Sequence, residues 1–98
     1  MLDLRPEDRQ SIRALIRQYY PDVTILAYGS RVKGENHDTS DLDLALRSVD
    51  GQALPLSTFS RLVEAMREST IPIIVEIRDW ARLPESFQKE IEKQYELL

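Results

Sequence analysis

The sequence predicts an α/β fold in two layers, a small three-stranded sheet packed against helices. Three observations predict it. Apolar residues recur at helical spacing in three segments, short strand-like runs lie between them, and the two kinds alternate as α-β-(short α)-β-α-β-α. The chain has 98 residues, 42% hydrophobic and 31% charged, which suits one domain over residues 1–98 with a single modest core.

The first helix is predicted over "RPEDRQSIRALIRQYYP". Pro6 fits the first turn, Glu7 and Asp8 favour the positive end of the helix dipole, and Pro21 stops the element. Ile12, Leu15, Ile16 and Tyr19 form its apolar stripe. "DVTILAY" follows as a strand, apolar on both faces and therefore central in the sheet. "GSRVKGENHDTS" begins as a helical turn and continues as a loop into the strand "DLDLALR". The next helix, "LSTFSRLVEAMREST", takes Ser57 as its N-cap and aligns Phe59, Leu62, Val63 and Met66. "IPIIVEIRDW" is the third strand, with Ile73, Val75 and Ile77 on one face and Ile74, Glu76 and Arg78 on the other. "PESFQKEIEKQYELL" closes the chain as a helix with Phe87, Ile91 and Tyr95 in line.

Composition excludes several chemistries. Without cysteine there is no disulfide, thiolate site or cysteine nucleophile, and one histidine, His37, rules out the usual zinc ligand sets. Any metal is then a hard, oxygen-bound cation such as Mg²⁺ or Mn²⁺. A net charge of −4 gives no basic field for nucleic acid. No apolar run approaches the roughly 20 residues that cross a bilayer, and the acidic start "MLDLRPEDRQ" is unlike a signal peptide, so a cytoplasmic protein is expected.

Against this background the pair Asp41 and Asp43 is conspicuous. Alternation with Leu42, Leu44 and Leu46 points both carboxylates to one side, about 7 Å apart along the strand. Like charges that close repel unless water or a cation intervenes. A solvated strand face and a metal site are both compatible with the pattern. Gly29 and Ser30 sit where a strand breaks into a helical turn, a place suited to anions, with Arg31 and Lys33 following. Glu76 interrupts the third strand; it either pairs with Arg78 or supplies a third carboxylate. Three carboxylates beside such a turn suit two divalent ions bridging a triphosphate. Tyr28, Trp80 and Tyr95 are read as core or rim aromatics.

Ten residues separate Ser30 from Asp41, so "GSRVKGENHDTSDLD" matches the G-S-x10-D-x-D signature of DNA polymerase β-like nucleotidyltransferases. With "AYGSRVKG", "SDLDLAL" and its small size, the chain resembles the minimal nucleotidyltransferase family in particular. The tail "IPIIVEIRDWARLPESFQKEIEKQYELL" is similar to that family's third strand and closing helix. The resemblance implies a nucleotidyltransferase core with a mixed three-stranded sheet. It implies Asp41 and Asp43 as metal ligands, with Gly29 and Ser30 on the nucleotide phosphates and Arg31 beside them. Glu76 stands where the family usually has a third aspartate, as a catalytic and metal-binding carboxylate one methylene longer. It further implies Mg²⁺ (or Mn²⁺) and ATP, and an antitoxin that transfers AMP to a tyrosine of a HEPN-domain ribonuclease toxin. Two alternatives remain open: an antitoxin acting by binding alone, and transfer to a small hydroxyl compound such as an aminoglycoside. A chain this short has no second domain to enclose a small acceptor, which favours an acceptor on another protein.

Overall fold

The structure, a computed structural model, describes residues 2–34 and 41–98. The expected loop after the helical turn, with His37, lies outside the described residues. Helix α1 (Pro6–Tyr19) opens with Pro6 in its first turn, and the buried Asp8 carboxylate accepts from Arg5 Nε at 3.0 Å. Strand β1 (Thr24–Tyr28) leads through Gly29 into the short helix α2 (Ser30–Lys33). Strand β2 (Leu42–Arg47), helix α3 (Leu56–Glu68), strand β3 (Val75–Asp79), a 3₁₀ turn (Trp80–Arg82), helix α4 (Glu85–Lys93) and strand β4 (Glu96–Leu97) complete the order.

The sheet has four strands in the order β3-β2-β1-β4. β1 pairs antiparallel with β2 and β4, while β2 pairs parallel with β3, so the sheet is mixed. α3 makes the crossover that a parallel pair requires. On one face Ile25, Ala27, Leu42, Leu44 and Leu46 pack with Ile12 and Ile16 of α1 and Leu62 and Met66 of α3. On the other, Leu26, Tyr28 and Ala45 form a smaller cluster with Ile91 of α4, flanked by Trp80 and Leu83. β3 alternates as expected for a strand solvated on one side: Ile73, Val75 and Ile77 lean on the core, and Ile74, Glu76 and Arg78 are exposed.

Two expectations are corrected. The closing helix stops at Lys93, Gln94 turns extended, and a fourth strand replaces the last predicted helical turn, taking Tyr95 out of the stripe. β1 is buried on both faces, so its outer edge needs partners for its backbone polar groups. Leu98 N donates to Ile25 O at 3.0 Å, and Arg9 Nη2 clamps Leu97 O at 2.7 Å. That pairing outweighs the weak local preference for helix. β1 is central as predicted, through this fourth strand. The second correction concerns Ser57, which lies inside α3; the helix starts at Leu56 after Pro55, whose carbonyl accepts from Phe59 N at 3.0 Å. Proline holds the entry φ at −58°, so no side-chain cap is used.

Asp79 joins the α3 entry to the end of β3. Its buried carboxylate accepts from Leu54 N at 2.8 Å, and from Ala81 N and Arg82 Nε, each at 3.2 Å. Asp79→Ala would leave the Leu54 N–H without its acceptor in a dry environment, and a loss of about 3 kcal/mol is expected in urea unfolding. Asp79→Asn, which keeps one acceptor oxygen, is expected to lose less.

Candidate active site

The candidate residues gather at one end of the sheet, on the face opposite the main core. Register places Tyr28, Asp43 and Glu76 in one row across β1, β2 and β3, with Leu26, Ala45 and Arg78 in the next. Asp41 immediately precedes β2 and shares the side of Asp43. The D-x-D motif thus stands beside the end of β1, where the chain turns into α2.

The turn is made by Gly29, at φ 85° and ψ −159°, a region essentially reserved for glycine. A β-carbon there would lie 2.5 Å from Asp43 Oδ2. The Gly-Ser turn and the second aspartate, far apart in the chain, are therefore in direct contact. Gly29 O accepts from Val32 N and Lys33 N at 3.1 Å each, which closes α2, and Ser30 is half-buried at its first position. Arg31 is buried, and its Nη1 donates to Asp3 O at 3.0 Å, tying α2 to the N-terminal segment. Of the six candidates it is the one engaged in the scaffold.

Electrostatics follow from this crowding. Burial first, then the charge of Asp41, hold the Asp43 carboxyl above its ordinary pKa; Glu76 adds to the effect and Arg78 opposes it. Glu76 and Arg78 form no ion pair among the described residues, so simple pairing does not account for Glu76. Equally, no group of three or more His, Cys, Asp or Glu is gathered for a metal among the described residues. The chemistry of Asp41 and Asp43 fits a hard cation: two crowded carboxylates suit Mg²⁺, which takes one or two carboxylates and completes its shell with phosphate and water. Glu76 stands one strand further out, at the open edge.

Two participants of this face were underrated in the sequence. Tyr28 is buried with its ring against Phe87 of α4, centroids 5.8 Å apart at 88°. Arg78 shares the exposed face of β3 with Glu76, a placement that period-two alternation already indicated. Trp80 instead packs under Arg47, whose guanidinium lies 5.4 Å from the ring centroid. Tyr95 is exposed. Beside the open edge of β3 runs a groove of about 320 Å³ lined by Val63, Met66, Ile73 and Ile77, with Glu76 in its wall.

Comparison with known proteins agrees with this geometry. Residues 10–98 match the family described as Polymerase beta, Nucleotidyltransferase. The chain is similar to a probable protein adenylyltransferase MntA of Haemophilus influenzae, 39% identical over 94 residues, 96% of this chain and 81% of that protein. It is also similar to a crystal structure of a toxin–antitoxin with AMP-PNP, with a TM-score of 0.73, 21% identity, and 90% of this chain and 69% of that chain covered. A crystal structure of a mutant toxin–antitoxin MntA–HpeT gives a TM-score of 0.74 at 22% identity, covering 98% of this chain and 72% of that one. At such identities these two likenesses establish the fold.

Two stability measurements check the geometry. Gly34 is also at positive φ (80°) but faces open space, so Gly34→Ala is expected to cost about 1 kcal/mol. Gly29→Ala adds the collision with Asp43 and is expected to cost about 2–4 kcal/mol in the same urea titration. For Asp43, a carboxyl whose pKa is higher folded than unfolded is uncharged in both states at low pH. Stability then falls as pH rises from the ordinary aspartate pKa through the raised one, and the penalty is complete above it. Asp43→Asn is therefore expected to melt above the wild type at pH 7 without ligands, and the gain is expected to vanish toward pH 3.

Proposed function

The chain belongs to the Polymerase beta nucleotidyltransferase family, and from that premise we propose that it is an antitoxin that transfers AMP from ATP to a tyrosine hydroxyl of a partner toxin, a HEPN-domain ribonuclease. The single observation carrying this reading is the contact between the Gly29 turn and the Asp43 carboxylate, which joins a phosphate-type turn to a cation-type pair. The name and the toxin–antitoxin setting of the similar proteins support the acceptor class.

Asp41 and Asp43 would hold Mg²⁺, which when bound supplies positive charge against the triphosphate and the departing pyrophosphate. Position 29 leaves the backbone bare, so a phosphate can approach it, and the Ser30 hydroxyl is a donor at the same turn. The acceptor oxygen forms a bond to the α-phosphorus as the bond to pyrophosphate breaks. Its proton passes to Glu76, which is exposed and without an ion pair among the described residues, on the strand next to Asp43. Arg31, held by Asp3 O, acts through the placement of α2. An acceptor from another protein reaches Glu76 from the open edge of β3, where the groove beside α3 ends. The net charge of −4 suits a basic, RNA-cleaving partner.

Incubating the purified pair with ATP and Mg²⁺, then separating the chains, tests this by intact mass. One AMP is expected per modified tyrosine, and the toxin is expected to stay inactive after this protein is removed. A toxin recovered unmodified and fully active would leave neutralisation by binding alone. Asp43→Asn is expected to reduce transfer at least 100-fold while the protein stays folded, and Glu76→Gln to reduce the rate with little change in ATP affinity.

A further inference from the structure

Tyr28 carries a polar group that the fold itself does not use. The residue is 8% exposed, and its hydroxyl oxygen is buried with no hydrogen-bond partner among the described residues. Its pKa is raised by burial and by Asp43, with a smaller push from Glu76; Arg78 pulls it back by its charge and by its approach to the oxygen. That approach falls short of hydrogen-bond geometry. A guanidinium only donates, so the phenol proton would have no acceptor there in any case. Native interiors rarely leave such a donor unsatisfied.

Directly opposite in register stands Asp43, whose carboxylate accepts no hydrogen bond from any described residue. A donor lacking an acceptor thus faces an acceptor lacking a donor on neighbouring strands. The phenol ring is fixed from above by Phe87, edge to face, and it packs with Leu26, Ala45 and Ile91. The carboxylate is the more mobile of the two, since the ring is wedged. We propose that the Tyr28 hydroxyl is a positioning donor for Asp43, engaging that carboxylate when a divalent cation occupies the Asp41/Asp43 pair. This rests on the nucleotidyltransferase reading above. Hydrogen bonds from outside the ligand set orient a metal-binding carboxylate and are worth about 10- to 100-fold in metal affinity. α4 then serves the site as well as the core, because its Phe87 keeps the phenol in place.

Tyr28→Phe separates this role from packing, since it removes one oxygen and keeps the ring. Mn²⁺ titration by electron paramagnetic resonance and thermal melts would be run on the wild type, Tyr28→Phe, Asp43→Asn and the double variant. Without metal, Tyr28→Phe is expected to melt at or above the wild type, because a buried unsatisfied group has gone. Its Mn²⁺ dissociation constant is expected to rise about tenfold or more. The double variant is expected to bind no more weakly than Asp43→Asn alone, as coupling through one carboxylate requires. If Tyr28→Phe binds Mn²⁺ as tightly as the wild type, the positioning role is overturned and the nucleotidyltransferase reading stands. A metal-free melt well below the wild type also overturns it, by revealing a partner for the hydroxyl in the free protein. Failure of the wild type to bind Mn²⁺ would remove both readings together.

Discussion

At position 29 the absence of a side chain lets the end of β1 close onto the Asp43 carboxylate. The proposed site depends on that approach. Were any β-carbon present, the turn into α2 and the start of β2 would have to separate, and the Gly-Ser backbone and the aspartate pair would no longer share one space. The positive φ that makes the turn sharp and the clearance that makes it close are both properties of glycine. One residue type satisfies two independent constraints.

The sheet supplies the rigidity that such a close approach needs. β1 lies between two antiparallel partners, and β2 is buried along most of its length, so neither of the two strands that meet at Gly29 and Asp43 lies at an edge. Charge near the site comes from Asp41 and Asp43 at the start of β2 and from Glu76 and Arg78 on β3. The core face is aliphatic throughout, and crowded carboxylates stand on the other side. Burying a carboxylate beside another like charge is costly in the free protein, and the raised pKa of Asp43 reflects its burial first and the neighbouring Asp41 second. A cation and a triphosphate bound as proposed would relieve it, which is how a site can be built for a ligand at the expense of the empty fold.

β3 combines two properties that suit an acceptor larger than a metabolite. Its outer edge is open, and its exposed face carries Glu76 and Arg78 without an ion pair between them. Chemistry at the open edge of a small sheet is accessible to another chain.

Local pattern made much of this legible. Helical stripes on α1 and α3, alternation on β3, and the ten-residue spacing from Ser30 to Asp41 are all carried by residue order, because periods of 3.6 and 2 are imposed by backbone geometry. The charge and composition that admit only oxygen-bound cations are likewise properties of the chain. Tertiary structure decided the rest. Gln94–Leu98 reads as a continuing helix until β1 presents an edge whose backbone groups require partners. Glu76 is open in sequence between pairing with Arg78 and serving as a third carboxylate, and only the sheet sets it opposite Asp43, with Arg78 one row away beside Tyr28. Arg31 followed a phosphate-type turn in sequence, but burial turned it toward Asp3. Tyr28 reads as one more core aromatic, because what distinguishes it is a missing acceptor. A missing partner is a relation among elements distant in the chain, and no local pattern encodes it.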